Sequence, residues 1–177
     1  MCTLDVTPTI GTDRLVLRAA VRDDAAALAP LLDDWGVASM TCSLPHPLTE
    51  GHVEDWVERS MTGDWSREAL FVIEHRTLGV VGHMGFKLNE RGRPEVGYSL
   101  GRPYWNRGYA TEALRAGLSW AKREWRKKLV FAGHFADNPA SGQVLCKAGF
   151  LYTGDVVLRD SRARGEPVPT RMMVWLA

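Results

Sequence analysis

The chain has 177 residues, 45% hydrophobic and 24% charged, with a formal net charge of +1. That length favours one domain over residues 1–177, and the near-zero charge gives no electrostatic case for nucleic acid or a membrane surface as the main partner. No stretch is apolar enough to span a bilayer. Met1 to Ile10 has no basic region followed by an apolar run, so no signal peptide is expected. Cys2, Cys42 and Cys146 are far apart and odd in number, with no zinc or disulfide spacing, which fits a reduced, cytoplasmic setting.

In chain order, Ile10 to Ala20 reads as an opening strand, with Leu15, Leu17 and Ala19 alternating with Arg14, Val16 and Arg18. Asp23 is placed to cap a helix from Ala25 to Leu32, which Pro30 would kink or divide. Thr49 is a plausible cap for a helix with Val53, Trp56, Val57 and Met61 on one face. Two strands follow, Leu70 to His75 and Val80 to Leu88, joined by a short turn containing Gly79. The polar turn Asn89 to Arg93 leads into a strand from Glu95 to Leu100.

Ala110 to Trp125 is the strongest helix, with Ala113, Leu114, Gly117, Leu118 and Ala121 on one face. A strand is predicted for Lys128 to Ala136. Asn138 followed by Pro139 opens a last helix, which Gly149 ends. Strands from Phe150 to Leu158 and Val168 to Leu176 flank a polar loop, Arg159 to Pro167. The order predicts a mixed α/β sheet with helices on both faces.

The segment with chemical content is Tyr98 to Glu112, where a strand runs through a loop into the N-terminus of the strong helix. Free amides and the dipole at a helix start form an anion site, and Gly108 lets a phosphate approach the backbone. Turn geometry alone would also account for Gly108. The three-glycine dinucleotide fingerprint and the Gly-Lys-Ser/Thr of a P-loop are both absent.

Trp105-Asn106-Arg107-Gly108-Tyr109-Ala110 resembles the acetyl-CoA pyrophosphate loop of GNAT N-acetyltransferases. Trp105 stands where the family usually has Gln or Arg. Tyr104 to Ala113 is similar instead to the branch of RimJ/RimL-type ribosomal-protein N-terminal acetyltransferases. Further matches are Glu95-Val96-Gly97-Tyr98, then Asn138-Pro139-Ala140-Ser141 with Gly149-Phe150. Arg14 to Arg18 and Leu44 to Glu50 are weaker echoes, so the resemblance spans nearly the whole chain.

The resemblance implies a mostly antiparallel sheet of about seven strands, splayed at its middle. It implies acetyl-CoA as co-substrate, with pantetheine on the strand edge near Tyr98 to Leu100. The pyrophosphate would lie on the amides of Asn106, Arg107, Gly108, Tyr109, Ala110 and Thr111, with Asn138 and Ser141 beside the cofactor. A primary amine, either a protein N-terminus or a small molecule, would attack the thioester directly, with no metal.

By strand alternation Glu95, Gly97 and Ser99 share one face, and Val96, Tyr98 and Leu100 the other. Glu95 is the candidate base, directly or through water, or else a structural carboxylate. Ser141 is the first candidate acid, with Tyr98 and Tyr152 as alternatives. His134 is a lone strand histidine of the kind that is usually structural. The region of His46, His52 and Trp56 would cover the acceptor, while Trp35 and Trp56 read as core anchors. Asp33, Asp34, Glu50, Glu54 and Asp55 would face a cationic acceptor, or form a solvated helix face. A non-catalytic acetyl-CoA-binding module is the rival reading, and a homodimer is left open.

Overall fold

The computed structural model describes residues 8–177, so Cys2 and nearly all of the segment examined for a signal peptide lie outside the described residues. Among the described residues, eight strands form one sheet in the order β1-β2-β3-β4-β5-β6-β8-β7. They are β1 (Ile10–Gly11), β2 (Leu15–Arg18), β3 (Glu68–His75), β4 (Gly79–Leu88), β5 (Pro94–Leu100), β6 (Leu129–Phe135), β7 (Leu151–Ser161) and β8 (Glu166–Leu176). The helices are α1 (Asp24–Leu32), the short α2 (Trp35–Ala38), α3 (His52–Thr62), α4 (Tyr109–Arg123) and α5 (Pro139–Lys147). No helix among the described residues is long and apolar enough to cross a membrane.

The count is eight rather than about seven because the predicted opening strand is two. The Thr12 hydroxyl accepts from the Leu15 amide at 2.8 Å and turns the chain back so that β1 pairs with β2. Pro30 does not divide α1, because it lies in the last turn, two residues before the end. Asp23 makes no capping bond. Asp24 does the work from inside the helix, accepting from the Val21 amide at 2.7 Å and from Arg18. Thr49 does not cap α3 either. Gly51, with φ +78°, takes that place, and Ser60 replaces the exposed Met61 on the buried face. Ser60 accepts from the Ala20 amide at 3.1 Å and donates to the Leu70 carbonyl at 3.0 Å, tying α3 to the segment after β2 and to β3.

The predicted polar loop after Leu158 is mostly strand. Asp160 pairs with Pro167 and Ser161 with Glu166, leaving a short turn whose Gly165 has φ +69°. Trp35, expected as a core anchor, is 52% exposed and stands against the His46 ring.

The sheet separates two apolar clusters. Phe71, Met84, Phe86, Leu114, Leu118, Trp120 and Trp125 gather under α4, and Leu28, Leu32, Val37, Val53, Val57 and Val72 gather under α1 and α3. Trp120 and Trp125 stack at 5.7 Å, and Phe71 meets Trp120 edge-on, so the aromatic layer fixes α4 on the sheet. This fixes the height of the α4 N-terminus relative to the end of β5.

Candidate active site

The break in the sheet lies at its centre. β5 and β6 run parallel and share one pair, Glu95 opposite Phe131. Beyond it towards Leu100 the strands part, leaving that edge of β5 unpaired with β6. Such an edge can take a peptide-like arm as an added strand.

The end of β5 is held in place. Trp105, in the position where Gln or Arg was the family pattern, donates from Nε1 to the Leu100 carbonyl at 2.8 Å. Asn106 with φ +58° and Gly108 with φ +79° then turn the chain into α4. The first amide of α4 with a backbone partner is that of Glu112, bonded to the Gly108 carbonyl at 3.0 Å. The preceding amides are free for an anion. Asn106, Arg107 and Gly108 are exposed, Ala110 and Thr111 half-buried, and Tyr109 is buried. Tyr109 therefore packs in the core, and only its backbone faces the loop.

Arg14 clamps this loop. Its guanidinium pairs with Glu112 at 2.7 Å, donates to the Arg107 carbonyl at 3.0 Å and lies over the Tyr109 ring. Burial pushes the Glu112 carboxyl up, but bonds from Thr12 and Arg14 outweigh it and hold it below its ordinary value. Arg14 and Glu112 both lie within motifs quoted above, yet nothing in the sequence pairs residues so far apart.

Across the gap, Tyr98 reaches α5. Its hydroxyl lies 3.0 Å from Ser141 Oγ and donates to the Ser141 carbonyl at 3.3 Å. The two leading candidate acids are thus hydrogen-bonded to each other. Burial pushes the Tyr98 phenol up to about 12, partly offset by Ser141. Asn138 caps α5 as expected, accepting from the Ser141 amide at 3.2 Å. Tyr152 is elsewhere, its hydroxyl 3.0 Å from Nε2 of the buried His134, whose Nδ1 meets the Phe135 carbonyl.

Glu95 stands where the strands part, 9% exposed, with both carboxylate oxygens held by Arg159 of β7. The second of these contacts is 3.1 Å. Sequence reasoning placed Arg159 in a loop and so missed it. A cavity of about 600 Å³ opens here, lined by Lys87, Arg93, Glu95, Phe131, Val157 and Arg159. Cys42, exposed at the surface, lies near the same pair; partial desolvation raises its thiol, and nearby Arg159 counters this. Of the carboxylates expected near a cationic acceptor, Asp34 is taken by Arg102 at 2.7 Å, and Asp33 by the Leu48 amide and His46.

The family model for the acetyltransferase (GNAT) domain matches residues 14–151. The chain belongs to the GNAT acetyltransferase family. A curated relative, the uncharacterized N-acetyltransferase p20 of Bacillus licheniformis, is 29% identical over 95% of this chain and 96% of its own. The fold is that of RimL, a ribosomal L7/L12 α-N-protein acetyltransferase solved with coenzyme A, with a TM-score of 0.81, 18% identity and coverage of 96% and 98%. It is also that of the spermidine N-acetyltransferase of Vibrio cholerae solved with coenzyme A and spermine, with a TM-score of 0.77, 17% identity and coverage of 93% and 96%. By that family match the chain is an acetyltransferase whose fold resembles that of RimL, and the binding-module reading is set aside.

Proposed function

We propose that this acetyltransferase moves an acetyl group from acetyl-CoA to a primary amine by direct attack within a ternary complex. The observation that carries the reading is the opening of the sheet beyond the pair Glu95–Phe131, directly before a helix start with free amides. Those features fit the two ends of the coenzyme, an amide-bearing arm and a pyrophosphate. Acetyl-CoA supplies the acyl thioester.

In this reading the backbone of Tyr98 to Leu100 orients the arm, and an N–H of the same edge stabilises the oxyanion. The amides from Arg107 to Thr111 hold the pyrophosphate, with Asn106 shaping the turn and Asn138 fixing α5 beside it. Glu95 receives the proton lost by the amine, directly or through water. This requires one of its oxygens to be freed from Arg159 as the acceptor enters. The hydroxyl pair of Tyr98 and Ser141 protonates the leaving thiolate, with Ser141 the donor and Tyr98 its source.

The acceptor is the α-amine of a protein or a small-molecule amine. The RimL likeness supports the first; Asp33 and Asp34 are engaged by other partners, while Glu50, Glu54 and Asp55 stay exposed. The test is release of free thiol from acetyl-CoA with an amine panel, with products mapped by mass spectrometry. Amine-dependent release is expected, and thiol release that no amine accelerates would overturn the reading.

A further inference from the structure

Two polar side chains on the acceptor face are enclosed without a partner, and they stand side by side. His83 of β4 and Ser99 of β5 are directly opposed in the antiparallel ladder. Their Cβ atoms are therefore about 5 Å apart, and both side chains leave the same face of the sheet. Neither Nε2 of His83 nor Oγ of Ser99 has a hydrogen-bond partner, and Ser99 is only 7% exposed. The Trp56 indole of α3 meets the His83 ring edge-on, with centroids 5.0 Å apart.

Unpaired buried polar atoms destabilise a fold, so two of them aimed from adjoining strands call for an explanation. The neighbouring surface supplies one. Gly97, two residues from Ser99 on the same face, is exposed, and a Cβ there would meet nothing within 4 Å. Its ladder partner is Gly85. Bare Gly97, beside a Gly85 that the Leu70 side chain covers, therefore separates His83 and Ser99 from Glu95, giving a groove floor with an unsatisfied polar pair at one end and the carboxylate at the other. Ser99 also lies in the middle of the β5 edge proposed to hold the thioester arm.

We propose that His83 and Ser99 seat the attacking nitrogen of the acceptor, taking hydrogen bonds from an uncharged primary amine at the Gly97 floor. The proposal rests on the acetyl-transfer reading above. With the proton of His83 on Nδ1, its Nε2 and the Ser99 hydroxyl each accept one N–H, and the lone pair stays free for the carbonyl carbon. The C–N bond forms, the C–S bond breaks, the nitrogen's proton passes along the groove through water to Glu95, four residues from Ser99 on the strand, and the thiolate takes a proton from the Ser141–Tyr98 pair.

The groups around His83 favour an uncharged guest. Trp56 and Ser99 are neutral, His52 of α3 is the titratable neighbour, and Glu95 on the same face is held by Arg159. Burial, with a smaller contribution from His52, lowers the His83 imidazole to about 4, so it stays neutral and can accept. An α-amine, with an ordinary pKa of about 7.7–8.0, is far more often uncharged near neutrality than an alkyl amine near 10.4. The seat thus selects α-amines over polyamines.

The test uses the full chain with acetyl-CoA and two probes, the tripeptide Ala-Ala-Ala and spermidine. His83→Phe should keep or raise the melting temperature, because it removes an unsatisfied polar atom and still packs on Trp56. Coenzyme A affinity should stay within about twofold, while kcat/KM for the tripeptide falls roughly tenfold or more. Ser99→Ala should show a smaller loss of the same kind, and His83→Asn should recover part of it. Unchanged kcat/KM in both His83→Phe and Ser99→Ala, with coenzyme binding intact, would overturn the seat. Spermidine preferred over the tripeptide by the wild type would overturn the selectivity. Thiol release from the wild type that no amine accelerates would instead overturn the parent reading, and the seat with it.

Discussion

The two faces of β5 are built on opposite terms. On the α4–α5 side, the polar groups around the loop and the start of α5 have partners, although the buried Trp120 indole N–H of α4 has none. Tyr98 has Ser141, the Ser141 amide has Asn138, and Glu112 has Thr12 and Arg14. On the α1–α3 side, His83 and Ser99 are unpaired, Gly97 is bare, and the carboxylate of Glu95 is held by a guanidinium. The finished face uses backbone amides and short motifs, which suits a coenzyme shared by a whole family. The unfinished face uses side chains, which suits an acceptor that differs between members. Under the proposed reading, residues of alternate parity within one strand would serve constant and variable chemistry.

The largest effect that would sharpen this contrast is expected at Glu95. Glu95→Gln keeps the shape and removes the basicity, so turnover should fall about 10²–10⁴-fold while coenzyme affinity barely changes. Steady-state kinetics and calorimetry on one preparation decide it. A full-turnover variant with an unchanged pH–rate profile would leave Glu95 as a purely structural partner of Arg159.

On the other face, Gly108→Trp should weaken coenzyme A binding by about a hundredfold, near 3 kcal/mol. Gly108 has φ +79°, and a Cβ there would meet only the end of the Arg14 side chain at 3.4 Å, so the fold should survive some strain. Circular dichroism checks the fold, and equal affinity in a folded variant would remove the pyrophosphate from this loop.

Ser60→Ala tests whether the acceptor side depends on α3. Two buried backbone groups, the Ala20 amide and the Leu70 carbonyl, would lose their partner. The expected cost is about 1–3 kcal/mol in chemical denaturation, with coenzyme binding unaffected.

A further effect is a pH dependence. His83 is lowered to about 4 from 6.5, so the unfolded chain binds its proton first as the pH falls. Its contribution to stability is complete above about 6.5 and is lost on descending towards 4. His83→Phe should flatten the melting temperature across that window, and an identical pH profile in the variant would count against a buried neutral imidazole.

The same contrast governs what could be read from the sequence. Periodicity located α4, and Asn138-Pro139 with Gly149 bounded α5, because those signals are local. The loop from Trp105 to Ala110 was legible for the same reason. Arg159 was not, because Pro167 and a run of charges disguised the ends of β7 and β8 as a loop. His83 carried no local sign at all. Its meaning comes from its register against Ser99, sixteen residues away by number (99 − 83), and a register is set by the whole sheet. Trp35 was misplaced because its size predicts burial, whereas the short α2 turns it outward beside His46.

A single residue pair joins β5 to β6, so the backbone ladder between β1–β5 and β6–β8 has one stitch. Of the amide hydrogens in Gly97 to Leu100, those that point to the open edge rather than to β4 should exchange with solvent faster in the free protein than the paired amides of β3 or β4. A bound pantetheine arm would act as the missing ladder, and free coenzyme at a hundred times its dissociation constant would add about 2.7 kcal/mol to the folded state. Deuterium uptake at the centre of the sheet would then track coenzyme concentration, making the resilience of the whole domain a gauge of its own co-substrate supply.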